Sequence, residues 1–241
     1  WLDYLCTTGL AAMDYRITDP VADPPESEAH HSEQLLRMPV TQWCWQPPAD
    51  APPVGPPPSA STGRVTFGSF NNAQKLTHAT LALWARLLAA LPSSRLLVAG
   101  IADGLARARV VSALQCDASR LQFLPRMDVA AYRAAFASVD IVLDPTPFSG
   151  ATTTLDALWQ GVPVLTLPAA TSCSRSTASL LTACGLEEWI AQNEDDFIAR
   201  ATRLAGDAAA LSDLRHGLRE RVQSSAVVDR SRFVRDLEIC S

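Results

Sequence analysis

The chain has 241 residues, of which 48% are hydrophobic and 19% are charged. This composition is typical of a globular protein with a full apolar core and excludes a disordered or fibrous chain. The formal net charge of -5 argues against a nucleic-acid-binding face, because phosphate backbones are bound by clustered Lys and Arg. No apolar run approaches the roughly 20 residues of a membrane span, and no signal peptide opens the chain. The sequence therefore predicts a cytoplasmic protein that binds neither nucleic acid nor membrane.

The six cysteines carry no C-x-x-C spacing and no neighbouring pair of histidines. Zinc sites and redox motifs depend on such spacings, so neither is indicated and no metal site is predicted. We expect buried free thiols in a reducing compartment. The cysteines are Cys6, Cys44, Cys116, Cys173, Cys184 and Cys240.

The first 45 residues are interpreted as the end of an upstream domain. Residues 1–5 form an apolar, aromatic run that is typical of chain buried against preceding residues. Residues 14–18 predict a strand, and the Pro and acidic residues at 24–28 predict the first turn of a helix that continues to about Leu36. His30 and His31 would lie on the solvated surface of that helix. A segment this small does not fold alone.

A Pro-rich segment, residues 46–63, separates this piece from the rest of the chain. Proline lacks a backbone donor and is excluded from sheet and helix interiors, so the segment is predicted to be a stiff linker.

After the linker, short apolar strands alternate with predicted helices. This alternation is typical of a parallel sheet covered on both faces, and right-handed crossovers make it a doubly wound, Rossmann-like α/β domain over residues 64–225. Residues 226–241 are predicted to be a C-terminal helix. The predicted strands are residues 65–70, 95–99, 121–124, 140–144 and 162–166, and the predicted helices are residues 78–91, 104–114, 129–137, 153–160, 174–183, 194–205, 208–223 and 229–240.

Ligands of such sheets bind at the carboxyl ends of the strands, and small polar residues follow the strand at 140–144. Gly150 permits close approach of a phosphate, while Thr152, Thr153 and Thr154 supply hydroxyl donors at the start of a helix whose free N–H groups favour anions. This loop predicts a diphosphate cradle, and Asp156 is a candidate acceptor for ribose hydroxyls. The alternative is ordinary helix capping by Ser or Thr, with Asp156 favoured near the helix N-terminus.

Cationic and aromatic residues follow two other strands. Lys75, after the first strand of the domain, is predicted to neutralise the charge that a departing nucleotide diphosphate develops. Arg126, after the third strand, is a candidate partner for phosphate or a base, and Tyr132 is a candidate neighbour of the base. The alternatives are a solvated lysine, a surface ion pair of Arg126 with Asp128, and core packing of Tyr132.

At these residues the sequence resembles the O-linked N-acetylglucosaminyltransferase family, which includes bacterial tetratricopeptide-repeat proteins and plant SPINDLY-like proteins. The likeness covers nearly the whole chain. Residues 1–9 resemble W-L/I-G-Y-P-G-T-S/T-G, residues 13–19 continue this segment, and residues 32–39 resemble S-E-x-L-x-x-M/L-P. Residues 70–75 resemble F-N-N/Q-x-x-K, residues 150–159 resemble G-x-T-T-x-x-D-x-L-W, and residues 168–175 resemble a loop that ends in S-R.

The resemblance implies a two-lobed glycosyltransferase-B architecture and an inverting transfer from a UDP-sugar, GlcNAc in this family, to Ser or Thr of a protein acceptor. No obligatory metal or cofactor is implied. Residues 1–45 would end the N-terminal lobe, whose catalytic His and Asp would lie upstream with helical repeats, so no turnover is expected of the chain by itself. The implied binding residues are Asn72 and Lys75 at the diphosphate, Thr152 and Thr153 at the phosphates, Asp156 at the ribose, and Arg126 and Tyr132 beside the uridine.

The sequence departs from the family pattern at two places. Asp3, Leu5 and Cys6 replace G, P and G of the first motif, and Ala151 stands where many members carry a phosphate-holding His. Because the sugar is recognised partly by the N-terminal lobe, a parent that transfers glucose or fucose is an alternative. A non-catalytic nucleotide-sugar-binding or scaffold module is a second alternative.

Overall fold

The computed structural model describes residues 5–240, so the first four residues of the motif at residues 1–9 lie outside the described residues. Near the N-terminus, β1 (Tyr15–Thr18) and β2 (Gln34–Arg37) form a two-stranded parallel sheet, with Tyr15 opposite Gln34. A short 3-10 helix, Pro25–His30, connects them.

The predicted helix to Leu36 is wrong beyond His30. The Pro and acidic residues do start a helical segment, but the chain becomes extended at His31 and continues into β2. Pairing with β1 supplies the backbone hydrogen bonds of this stretch, and such tertiary pairing overrides local helix propensity.

The two histidines also differ from their expected surface position. His30 is exposed, but the side chain of His31 is only 5% exposed. The Nδ1 atom of His31 lies 3.0 Å from the carbonyl oxygen of Ser27, and its Nε2 atom lies 3.5 Å from Oδ1 of Asp23. The extended backbone at His31 turns this ring inward.

The alternation after the linker is confirmed as a five-stranded parallel sheet in the order β5-β4-β3-β6-β7. Its strands are β3 (Thr66–Ser69), β4 (Arg95–Ala99), β5 (Leu121–Leu124), β6 (Ile141–Leu143) and β7 (Val164–Leu165). The central strands are buried on both faces, as short apolar strands between helical layers require.

Helices cover both faces of this sheet. The long ones begin and end within a few residues of the predicted positions, because polar caps and Gly or Pro mark their ends. The helices of the described chain are α1 (Ser59–Thr62), α2 (His78–Ala90), α3 (Leu105–Leu114), α4 (Val129–Ala135), α5 (Thr152–Trp159), α6 (Ser172–Ala183), α7 (Glu194–Ala205), α8 (Ala208–Gln223) and α9 (Arg230–Cys240).

The order of strands reverses at β3, which pairs with β4 on one side and with β6 on the other. Ligands of open parallel sheets bind outside the carboxyl ends of the strands at this reversal. The loops after β3 and β6 therefore flank the expected binding crevice.

The Pro-rich segment is packed onto the lobe by two arginines of α8. The guanidinium of Arg215, 1% exposed, donates to the carbonyl oxygens of Gly55 at 2.9 Å and Val139 at 2.8 Å. Arg219 donates to the carbonyl oxygen of Pro52 at 2.7 Å. The segment also contains the short helix α1, and the division of the chain at residues 45, 63 and 225 stays a prediction.

All six cysteines are free, as expected, but only Cys184 is buried. Within residues 5–240, no helix is long and apolar enough to cross a membrane. The same residues contain no group of three or more His, Cys, Asp and Glu side chains placed to hold a metal ion.

Candidate active site

Lys75 joins the two loops that flank the reversal of strand order. Its Nζ atom donates a hydrogen bond of 2.8 Å to the carbonyl oxygen of Ser149, which precedes α5. The same ammonium lies 4.2 Å from the ring centroid of Phe148. Lys75 is the only lysine of the chain. The predicted cation and the predicted phosphate cradle therefore share one rim of the sheet.

The environment of Lys75 balances two opposing effects on its charge. Burial of the half-buried side chain lowers the pKa of Lys75, while the carboxyl of Asp144 and the thiol of Cys173 oppose this shift. A cation that is partly removed from water interacts strongly with an incoming anion, because less solvent screens the pair.

The N-terminus of α5 presents unpaired backbone donors. Ala151 occupies the cap position, and no side chain caps the helix. The N–H groups of Thr154 and Leu155 donate to the carbonyl oxygen of Ala151, whereas those of Ala151, Thr152 and Thr153 have no partner among the described residues. The capping alternative therefore does not describe this loop. Free amides with the helix dipole behind them form an anion site.

A buried carboxylate organises the loop between β6 and α5. Oδ1 of Asp144 accepts the Gly150 N–H at 2.7 Å, and Oδ2 accepts the hydroxyl of Thr166 at 2.7 Å. Burial raises the pKa of Asp144 to about 6, although these hydrogen bonds, the Thr177 hydroxyl and Lys75 favour the charged form. The Gly150 N–H is therefore committed to Asp144, and Gly150 shapes the loop instead of donating to a ligand.

Gly150 is required by close packing. A Cβ atom at this position would lie 2.6 Å from Oγ1 of Thr153 and 2.8 Å from Oγ1 of Thr154.

Gly150→Ala is expected to lower the free energy of unfolding by about 1–3 kcal/mol and to weaken binding at the loop, because both hydroxyls must move. Chemical denaturation checks this. The matched control is Gly217→Ala, where nothing lies within 4 Å of the added Cβ and stability should not fall.

The three threonines of the cradle have different environments. Thr152 is exposed at the start of α5. Thr153 donates to Oδ1 of Asn71 at 3.3 Å, which fixes its hydroxyl at the rim. Thr154 is buried, and its hydroxyl lies 2.8 Å from that of Thr177. Thr152 and Thr153 are therefore on the rim, whereas Thr154 holds α5 against α6.

Two adjacent asparagines follow β3, and they differ in exposure and in hydrogen bonding. Asn72 is exposed, and its side chain accepts the N–H of Gln74 at 3.1 Å. Asn71 is buried at the rim against Thr153. Sequence reasoning missed Asn71, although its position directly after the strand is a usable signal.

Tyr132 and Asp156 are brought together as one unit. The hydroxyl of Tyr132 donates to Oδ2 of Asp156 at 3.1 Å. Burial raises the pKa of both groups, and the hydrogen bond lowers that of Asp156 while raising that of Tyr132. The ring of Tyr132 packs edge-to-face on Phe70 and Phe136, so the core-packing alternative holds together with a polar contact.

Arg126 lies apart from this network. It is exposed and has no hydrogen bond or ion pair within the part of the chain that the structure describes. Its expected alternative partner, Asp128, instead accepts the N–H of Ala131 at 2.8 Å and caps α4. Arg126 lines a groove of about 270 Å³ with Phe70 and Tyr132. The guanidinium is therefore available to a ligand in that groove.

The model of the family described as "Glycosyl transferase family 41" matches residues 59–237, which include every element of the rim. The chain belongs to glycosyltransferase family 41. Family 41 membership accounts for the resemblance that the sequence motifs indicate.

Two curated relatives of this family 41 chain carry the name "Probable UDP-N-acetylglucosamine--peptide N-acetylglucosaminyltransferase SPINDLY". The protein from Solanum lycopersicum is 41% identical over 99% of this chain and 26% of its own length. The protein from Arabidopsis thaliana is 40% identical over 99% of this chain and 27% of its own length. The chain therefore spans about a quarter of the length of these relatives.

A solved structure of a Thermobaculum terrenum O-GlcNAc transferase mutant is also similar. It superposes with a TM-score of 0.91 at 36% identity and covers 99% of this chain and 46% of that chain. The predicted glycosyltransferase-B architecture with a Rossmann-like C-terminal lobe is confirmed by this likeness.

Proposed function

We propose that the chain is the donor-binding part of a glycosyltransferase that uses UDP-GlcNAc and a protein acceptor. One observation carries the proposal: the only lysine of the chain reaches the loop whose amides are unpaired at the N-terminus of α5. The names of the SPINDLY relatives support UDP-N-acetylglucosamine as donor and a peptide as acceptor. The relatives are longer than this chain, which covers about a quarter of their length, and we propose that the N-terminal lobe and repeats of a parent chain complete the enzyme.

The chemistry of this rim suits a diphosphate leaving group. When the bond between the sugar and the β-phosphate breaks, negative charge accumulates on the phosphate oxygens. The ammonium of Lys75 and the free amides of Thr152 and Thr153 stabilise that charge without a metal, as prearranged donors do in other transfer reactions. Lys75 is therefore the proposed catalytic residue of the chain.

The nucleoside is assigned to the groove beside the rim. Asp156, held by the hydroxyl of Tyr132, would accept hydrogen bonds from the ribose. Arg126 and Phe70 line the groove next to Tyr132, where a planar base can stack. The sugar itself would lie beyond the β-phosphate, so discrimination among GlcNAc, glucose and fucose depends on residues outside this groove.

Thermal stabilisation by UDP tests the proposal. At about 100 times the dissociation constant, a ligand that binds only the folded state adds about 2.7 kcal/mol of stability, which raises the Tm by roughly 5–10 °C for a chain of this size. Thr153→Ala combined with Lys75→Ala should abolish this rise. Thr62→Ala is the matched control, because α1 lies at the amino end of β6, where Ser59 contacts Asp140. An unchanged Tm of the wild-type chain with UDP would contradict the proposal. A parallel titration with GDP tests whether the groove distinguishes uracil from guanine.

A further inference from the structure

A cavity of about 520 Å³ lies beside the donor rim, on the far side of Tyr132 from the base groove. Thr152, at the N-terminus of α5, and Asp156, one turn further along that helix, form its inner side. Arg133 of α4 lines it as well. The outer side is formed by residues 45–49, at the start of the Pro-rich segment, which are called the wall segment below. The Pro-rich segment therefore reaches the proposed donor site.

The linings of the two cavities fix where a ribose can lie. The base groove contains Phe70 and Arg126 but not Asp156, whereas the cavity behind the wall segment contains Asp156 and Thr152. Tyr132 lines both. In a nucleoside diphosphate the ribose joins the base to the diphosphate. A ribose that contacts Asp156 therefore enters the cavity behind the wall segment, with the base across Tyr132 and the diphosphate at the amide of Thr152.

The carboxylate in this cavity has one oxygen available to a ligand. Oδ2 of Asp156 accepts the hydroxyl of Tyr132 at 3.1 Å, whereas Oδ1 has no hydrogen-bond partner among residues 5–240. Burial raises the pKa of Asp156, while the Tyr132 hydroxyl and the positive charge of Arg133 favour its charged form. Hydrogen bonds to charged acceptors are stronger than those between neutral groups. The hydroxyls of a pentose are therefore suitable donors to Oδ1.

The wall segment is held at both ends. The N–H of Trp45 donates to the carbonyl oxygen of Val227 at 2.8 Å, and its ring packs edge-to-face on Trp159 of α5, with the ring centroids 5.8 Å apart. At the other end, Nη1 of Arg133 donates to Oδ1 of Asp50 at 2.5 Å, and the Arg133 side chain is only 20% exposed. Two adjacent prolines between these ends restrict the backbone. The wall is therefore in place before a ligand binds, which lowers the entropic cost of binding.

We propose that the wall segment encloses the pentose of the donor and that Arg133 is the positioning residue that holds it there. This inference rests on the proposed function. The ligand is a nucleoside diphosphate whose pentose lies between the wall segment and Asp156. Pyrophosphate, which has no pentose, occupies the rim alone. The Pro-rich segment thus contributes to donor recognition in addition to connecting the N-terminal residues to the lobe.

Alkylation of an introduced thiol tests the position of the pentose. Ala49→Cys places a thiol at an exposed position of the wall segment, and Ala60→Cys is the matched control, since Ala60 is exposed on α1 of the same Pro-rich segment and does not line the cavity. Iodoacetamide labelling is followed for each peptide by mass spectrometry. Saturating UDP should slow alkylation at position 49 at least about fivefold, because bound ligand covers the site for nearly all of the time. Pyrophosphate at position 49, and either ligand at position 60, should change the rate by less than about twofold.

The outcomes separate this inference from the proposed function. Equal protection of position 49 by pyrophosphate and by UDP would overturn the inference. Alkylation that UDP does not slow, although UDP raises the Tm, would also overturn it and would leave the proposed function in place. UDP that neither raises the Tm nor slows alkylation would contradict the proposed function and the inference with it.

The role of Arg133 has its own measurement. Arg133→Ala should weaken the binding of UDP about three- to fivefold and that of pyrophosphate by less than about twofold, because only the pentose contacts the wall segment. Arg133→Lys, which keeps a cation for Asp50, should restore most of the UDP affinity. The matched control is Arg200→Ala, whose side chain is 22% exposed and pairs with Asp196 on α7, and it should change neither affinity. Equal losses for UDP and pyrophosphate in Arg133→Ala would overturn the positioning role.

Discussion

Lys75→Ala is expected to weaken the binding of UDP by about 10- to 100-fold, because hydrogen bonds to charged groups contribute about 1.5–3 kcal/mol. The partly buried ammonium is the cation that joins the loop after β3 to the N-terminus of α5. Lys75→Arg should recover only part of the affinity, because the planar guanidinium directs its donors differently from the compact ammonium. Isothermal titration with UDP measures all three chains.

Arg86→Ala is the matched control for this loss of charge. Arg86 lies on α2 and forms exposed ion pairs with Glu194 and Asp195, away from the rim. Its removal should leave the affinity for UDP within about twofold, because surface pairs contribute little. Equal affinities of Lys75→Ala and the wild-type chain would show that the diphosphate does not contact Lys75.

Asp23→Ala is expected to lower the free energy of unfolding by about 3–5 kcal/mol, because removal of one partner leaves an uncompensated buried charge. Asp23 is fully buried and contacts the guanidinium of Arg16, which is 1% exposed. It also accepts the hydroxyls of Thr18 and Ser172, so the carboxylate joins the N-terminal segment to α6. Urea denaturation followed by circular dichroism measures the loss.

The carboxylate of Asp23 is also expected to make the folded chain less stable in acid. Burial by itself would raise the pKa of Asp23, but hydrogen bonds from Ser172, Thr18 and Arg16 outweigh it and lower the pKa. A carboxyl with a lowered folded-state pKa contributes its full stability above its unfolded value of about 3.9 and loses it as the pH falls through the folded-state value. Asp23→Asn should remove this part of the acid sensitivity.

Asp103→Ala is the matched control for Asp23. Its side chain is 89% exposed and pairs with Arg107 on the surface, so stability should change by less than about 0.5 kcal/mol. Equal stabilities of Asp23→Ala and Asp103→Ala would contradict the structural role of the buried cluster.

The sequence is sufficient to predict the sheet and its binding edge. Apolar strands such as β4 and β6 have no polar side to expose, so only a sheet buried on both faces accommodates them. Once the strands are parallel, their carboxyl ends meet at one edge, and this places Lys75 near the loop of Thr152 and Thr153 without knowledge of any long-range contact.

Features that depend on long-range contacts are not predictable in this way. The residues of β2 lie downstream of the helical start signals at residues 24–28, and only pairing with β1 makes them a strand. Thr154 turns inward because Thr177 of another helix meets its hydroxyl. The sequence places Asp144 at the end of a predicted strand. Its hydrogen bond with the Gly150 N–H forms only because the loop folds back onto the strand. In each case a partner distant in sequence decides between equally allowed local structures.

A crystal structure of the chain with UDP would show where the diphosphate binds. We expect the β-phosphate to lie within hydrogen-bond distance of Nζ of Lys75 and of the Thr152 and Thr153 amides, with the ribose against Asp156. A diphosphate bound elsewhere on the chain, with these donors left to solvent, would contradict a donor site at this rim.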